Sequence, residues 1–291
     1  MSAVSITLPE VSARRRRTDR LMRGLLLGAT LLALLPLVLI IFYLLQRGLG
    51  QIDGSFFTTD PTGSFFGAVG GVRSAIVGSL EIVGLATLIA VPVGVGVALY
   101  LTEYGREARF AALVRYFVDV MTGVPSVVFG LFIYITLVSS HLGGNFTAWK
   151  GSVALSLLML PIVTRSAEVV LLLVPAGLRE AALALGAPRW RAVLRVVLPT
   201  ALPGLVTGSL LAVARGMGET APLLFTTAGA ATLTFSLNQQ MNALPLQIYN
   251  DILSPRSAVV AQAWAAGLTL VAIVLILNLI ARVVSRRSCT T

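Results

Sequence analysis

Six stretches of the chain, at about 24–45, 74–101, 114–138, 151–174, 204–228 and 259–281, are apolar and free of long polar interruptions. A helix crossing the hydrocarbon core of a bilayer needs about 20 such residues, and only helices or closed barrels satisfy their backbone polar groups in lipid. The pattern therefore predicts six transmembrane helices in an all-α, polytopic membrane protein. The segments before Arg14 and between 46 and 73 are polar or glycine-rich, and 229–258 gathers Asn238, Gln239, Gln240, Asn242, Asn250 and Asp251 with two prolines. These predict loops or short dipping segments.

Composition agrees with the pattern. The 291 residues are 56% hydrophobic and 12% charged, with a mean hydropathy of +0.90, whereas soluble domains carry about 25% charged residues. Six crossings consume roughly 120 residues, which leaves no room for a large soluble domain. The single cysteine, Cys289, excludes a disulfide framework or a cysteine-rich metal site, and the single histidine, His141, excludes histidine-based zinc or triad chemistry. His141 itself is expected to be a solvated loop residue.

A net charge of +10 is compatible with nucleic-acid binding, so the positions of the charges decide its meaning. Six arginines (Arg14, Arg15, Arg16, Arg17, Arg20 and Arg23) precede the first span, three lie at 106–115, four at 179–195 and three at 282–287. All these segments fall on one side of a six-span chain. The other side holds Arg47, Arg73, Lys150 and Arg256 alone, and Arg165 and Arg215 lie within spans. The excess marks the cytoplasmic side, so both termini are expected in the cytoplasm and nucleic acid is excluded as a partner. The run at 24–45 exceeds the 7–15 residues of a signal-peptide core and no small-residue cleavage site follows, so it is expected to stay as an anchor behind a basic segment, 1–23.

Ionisable residues inside spans are costly and normally face a cavity or a partner. The fourth span places Arg165 and Glu168 at i, i+3, and the fifth places Arg215 and Glu219 at i, i+4, each pair on one helix face. Arg215 is expected about 16 Å into its span, near mid-bilayer. Two ion pairs that only fix packing are one explanation. An anion path is the other: guanidinium groups grip tetrahedral oxyanions through paired hydrogen bonds, a neighbouring carboxylate holds the arginine or accepts a proton, and Gly216 and Gly218 admit a close backbone. Asp119 is expected to reach the interface, and Glu81 has no assignable role.

The segment after span four is the most informative. It contains Glu180-Ala181-Ala182, three residues, Gly186, nine residues, Val196, one residue, then Leu198-Pro199. This resembles the EAA loop of ABC importer permeases at every position, with Val in place of the usual Ile. Physically the segment suits docking: a short helix through Leu185 is halted by Gly186 and Pro188, a basic helix with Trp190 follows, and small residues admit a helical corner into a protein groove.

Three further runs narrow the likeness: Gly123–Phe132 with Ser126, Leu160–Arg165, and Ala214-Arg215-Gly216-Met217-Gly218-Glu219-Thr220-Ala221-Pro222-Leu223-Leu224; Met241–Tyr249 fits as an outer loop. Over about 70–285 the chain resembles the A-type permease subunits (PstA family) of phosphate ABC importers. The resemblance implies a type I ABC importer permease fold, similar to methionine and molybdate importers, at 70–285 with its coupling loop at 178–199. It implies a homologous C-type phosphate permease, two copies of a cytoplasmic ATP-binding subunit and an extracytoplasmic phosphate-binding protein as partners, in the bacterial plasma membrane. Arg165, Glu168, Arg215, Glu219, Thr220 and Ser126 would line the substrate path, and Glu180, Ala181, Ala182, Gly186, Leu198 and Pro199 would couple to the ATPase. No cofactor is expected in this chain: a Walker A loop needs Gly-Lys-Ser/Thr, and the one lysine, Lys150, follows Ala148-Trp149. ATP and Mg would bind the partner subunits, so the chain is not expected to be an enzyme. Permeases for sulfate or phosphonate share the EAA loop, and a secondary anion transporter is the alternative from a different class.

Overall fold

The computed structural model describes residues 13–62, 69–105, 108–139 and 144–287. These fold into α1 (Ala13–Gly48), α2 (Gly54–Thr58), α3 (Arg73–Leu99), α4 (Arg109–Gly123), α5 (Ser126–Ile133), α6 (Ala148–Leu172), α7 (Ala176–Ala184), α8 (Arg189–Ala192), α9 (Leu198–Met217), α10 (Ala221–Leu224), α11 (Leu244–Ile252) and α12 (Ser257–Arg287). Single π-helical turns extend α3 (Tyr100–Tyr104) and α5 (Tyr134–Val138) and join α8 to α9 (Val193–Val197). No strand occurs among the described residues. Arg14–Gln51, Arg73–Tyr104, Ala148–Leu172, Arg189–Met217 and Ser257–Ile280 are long and apolar enough to cross a membrane, and α4 with α5 and its π turn makes a sixth, broken span bent by 103°.

The centre of the bundle is α6, with α3 on one side and α9 on another. Small residues set these distances. A Cβ on Gly94 of α3 would lie 2.8 Å from Val163 Cγ1, one on Gly204 of α9 would lie 2.6 Å from Val170 Cγ1, and one on Gly208 would meet Ser166. Close packing of this kind replaces the hydrophobic drive that lipid cannot supply. Ile82, Ala86, Leu155, Met159, Val163, Ala212, Met217 and Leu223 form the buried core between them. At the end where α3 and α6 begin, here the upper end, the first amides of α6 find partners in the 226–239 loop. Thr147 N donates to Thr226 O (3.0 Å), Ala148 N to Gln239 O (2.9 Å) and Trp149 N to Leu237 O (3.0 Å), which satisfies donors a helix start leaves free.

Three expectations change. The first span is helical from Ala13, so α1 runs unbroken across the 23/24 boundary; it meets the bundle along α12, with Tyr43 edge-on to Trp264 at 5.5 Å and Gly48 under the Trp264 carbonyl. The stretch 114–138 is not one straight helix. Pro125 has no N–H to donate and drives Val124 into an extended conformation (φ −73°, ψ 129°) just after Gly123. The stretch 204–228 is not one helix either: α9 stops at Met217 because Gly216 and Gly218 are poor helix formers and Pro222 cannot continue the ladder.

Candidate substrate path and coupling surface

The break at Gly218 places Arg215. Helix α9 runs antiparallel to α6, so Gly204 faces Val170, Gly208 faces Ser166, and Gly216 faces Met159, where an added Cβ would sit 2.9 Å from the Met159 sulfur. Met159 is the twelfth residue of the 25-residue α6, so the Arg215 turn lies level with the middle of that helix. The helix ends there, and the chain completes its rise through α10 and the loop to Thr226. Unwound backbone at membrane depth is tolerated where protein or a polar cavity surrounds it.

Among the described residues, Arg215 presents an open cation at this level. Its side chain is 60% exposed, and Nε lies 3.4 Å from Oε1 of Glu219, which is itself mostly buried. One loose ion pair leaves most of the five guanidinium donors unspent. Thr220 begins the turn of α10, and α10 packs on α5 so closely that a Cβ on Gly130 would lie 2.8 Å from Pro222 Cα. Ser126, at the first position of α5 and half-buried, stands at the other helix break. The two broken spans thus pack together.

Arg165 and Glu168 have a different setting. Arg165 Nε donates to Asp119 Oδ1 (2.9 Å), Nη1 to Glu168 Oε2 (2.6 Å) and Nη2 to the Arg115 carbonyl (3.4 Å). Glu168 accepts a second arginine, Arg115 Nε to Oε1 at 2.8 Å, and Arg115 Nη2 donates to Leu101 O. With its side chain 8% exposed, Glu168 is a buried carboxylate neutralised by two cations, an arrangement that loses heavily if one partner is removed. The four charges rivet α4 to α6. Arg165 thus spends its donors on protein, and no hydrogen bond or ion pair joins it to Arg215 among the described residues. Asp119, expected at the interface, is largely exposed yet pairs with Arg165. Arg115, counted with the cytoplasmic charges in the sequence, belongs to α4; its partner Glu168 lies 53 positions away, so spacing along the chain carried no signal for the pair.

At the lower end α7 is a nine-residue helix with no buried residue. Leu178, Leu183, Leu185 and Trp190 point outward, Leu185 with 89% of its surface exposed, and Glu180 and Ala181 are exposed beside them. Gly186 ends the helix at φ +80°, with its N–H on Leu183 O (2.9 Å) and the Ala187 N–H on Ala182 O (3.2 Å). These are the two bonds of a left-handed helix stop, which glycine adopts without strain. Space around Gly186 is open, so the glycine is required by backbone conformation, in keeping with the helix stop expected there, and not by close packing within the chain. Leu198 packs with buried Val197 and Leu171, and exposed Pro199 opens α9. This short helix therefore holds a row of apolar side chains outward, of the kind that marks protein interaction sites in general.

Glu81 is half-buried in α3 and makes no ion pair or side-chain hydrogen bond among the described residues. His141 lies outside the described residues. Lys150, expected in a loop, is buried in the first turn of α6, with Nζ on Asn145 O at 2.7 Å.

Over residues 90–288 the sequence matches the family described as binding-protein-dependent transport system inner membrane component. A curated relative from Haemophilus influenzae named phosphate transport system permease protein PstA is 40% identical, over 92% of this chain and 94% of that one. The protein of the same name from Mycobacterium leprae is 38% identical over 98% of this chain and 95% of its own. Among solved structures, a chain of the inward-facing MetNI methionine ABC transporter is similar with a TM-score of 0.59 and 22% identity, over 75% of this chain and 94% of that one. A chain of a bacterial ABC transporter involved in alginate import gives 0.62 and 19%, over 94% and 98%. These last two likenesses show the fold.

Proposed function

Because the chain belongs to the PstA family of phosphate transport system permeases, within the binding-protein-dependent inner membrane components, we propose that it carries inorganic phosphate across the inner membrane as one permease subunit of an ABC importer. It is a multi-pass membrane protein and works with other subunits rather than as an enzyme. Those subunits are a homologous C-type permease, two cytoplasmic ATPase copies that bind ATP and Mg, and an external phosphate-binding protein. The observation that carries the reading is Arg215: a half-free guanidinium level with the middle of α6, at a helix break beside Glu219 and Thr220. A phosphate oxyanion there gains paired charge-assisted hydrogen bonds in place of lost hydration. Glu219 holds the arginine and is placed to take a proton from a protonated anion. Ser126 and Thr220 supply hydroxyls at the two breaks, while Arg165 and Glu168 keep α4 fixed to α6. The exposed face from Glu180 to Gly186 docks on an ATPase.

Two measurements test this. Uptake of labelled phosphate by membranes holding the whole complex should require ATP and be suppressed by excess unlabelled phosphate but not by sulfate or methylphosphonate. Equal suppression by either competitor assigns another oxyanion, and uptake without ATP assigns a secondary transporter. The basic asymmetry supports cytoplasmic termini. In a Cys289→Ser background, an impermeant thiol reagent added to intact cells should label Asn238→Cys and spare Leu185→Cys; the reverse labelling overturns the orientation.

A further inference from the structure

Arg179 sits next to Glu180 on α7 but turns the opposite way. Its neighbours on that helix are exposed, whereas its own side chain is 15% exposed and all of its guanidinium nitrogens are engaged. Nε donates to Glu103 Oε1 at 2.9 Å, Nη1 to the Val174 carbonyl at 2.6 Å and Nη2 to the Leu171 carbonyl at 2.7 Å. Nη2 also lies 2.9 Å from Glu103 Oε1, and the Glu103 side chain is only 9% exposed.

The partners are the lower ends of the two central helices. Glu103 lies in the π turn that extends α3, and Leu171 is the second-last residue of α6, where helix carbonyls lack intrahelical donors and favour a cation. One side chain thus fastens α7 to α3 and α6 together. Helix α7 buries no residue of its own and is joined to α6 through Pro175. A cavity of about 170 Å³, lined by Thr102, Leu183, Arg189, Ala192 and Val197, opens beside the pair, so α7 is not held there by dense packing. The π turn at Val193–Val197 faces the same cavity from the start of α9.

We propose that the largely buried side-chain pair Arg179–Glu103 is the tie through which displacement of α7 is transmitted to α3 and α6. The tie rests on the reading that α7 docks on a partner ATPase, and it assigns a positioning task to two residues outside the EAA pattern. The outward face of α7 receives the push. Arg179, rigidly forked onto one carboxylate and two carbonyls, passes it to the helices that pack around the Arg215 turn. A planar fork transmits direction, which a lone ammonium does not.

The test uses the intact complex and reads three quantities: copurified ATPase subunit, ATP hydrolysed, and labelled phosphate taken up. Arg179→Gln should leave copurification and ATP hydrolysis within about twofold of wild type while uptake falls by about tenfold or more, since a buried pair broken on one side loses its geometry. Glu103→Gln should show the same split to a smaller degree, because the two carbonyl contacts remain, and Arg179→Lys should be intermediate. Uptake unchanged in both glutamine variants overturns the tie. Uptake falling only in step with lost copurification also overturns it, since that outcome describes a packing role. The wild-type complex separates this from the reading beneath it: if wild-type uptake does not consume ATP, the coupled permease and the tie fall together, whereas coupled wild type with coupled Arg179→Gln sinks the tie alone.

Discussion

Asp251 lies in α11 at the upper end, with its Oδ2 buried and lacking a hydrogen-bond partner. Burial pushes the carboxyl up to about 6, against the pull of a hydrogen bond from Gln247. An acid whose pKa is higher folded than unfolded stabilises the fold least when ionised. The fold is therefore favoured below the unfolded value of 3.8, loses stability as pH rises towards about 6, and stays at the lower level above it. Asp251→Asn should remove that loss. The purified complex should unfold a few degrees higher at pH 7.5, on a scale of about 2–4 °C per kcal/mol, with the gain gone near pH 4. An equal gain at both pH values would point to packing rather than charge. Polarity at 238–251 was legible in the sequence, but burial of one particular carboxyl was not, because it depends on Gln247 and on how the 226–243 loop folds over the helix ends.

Among elements, the long apolar runs were legible because lipid demands one pattern for each crossing. The breaks were only half legible. Val124-Pro125 and Gly216-Met217-Gly218 carry residues that interrupt helices, but hydropathy continues straight through them, so 114–138 and 204–228 each look like one helix. Their consequence, the close packing of α5 on α10 through Gly130 and Pro222, is a tertiary contact that hydropathy does not encode. At α7 the sequence supplied the stop at Gly186, since glycine is the usual residue for a left-handed cap. The Arg179–Glu103 pair had no sequence signal: the two residues are 76 positions apart. The charges within spans were legible as important, but not which would be spent on protein. Arg165 and Arg215 look alike in sequence, yet one is saturated by Asp119, Glu168 and a carbonyl while the other keeps free donors.

At the scale of the molecule, a central pair α3 and α6 is tied below to the exposed helix α7 and flanked by the bent pair α4 and α5 and by the break between α9 and α10, with Arg215 at that break and level with the middle of α6. On the proposed function, transport requires that Arg215 meet the passing anion. A cation that merely neutralised Glu219 would be dispensable together with it. The two cases separate in a paired comparison of Arg215→Gln with Arg215→Gln/Glu219→Gln, measuring labelled phosphate uptake per assembled complex. With Arg215 as the anion contact, both variants assemble normally and both lose uptake by more than about tenfold, the scale set by a charge-assisted hydrogen bond of about 1.5–3 kcal/mol. Recovery of wild-type uptake in the double variant would contradict it and leave the pair a packing device.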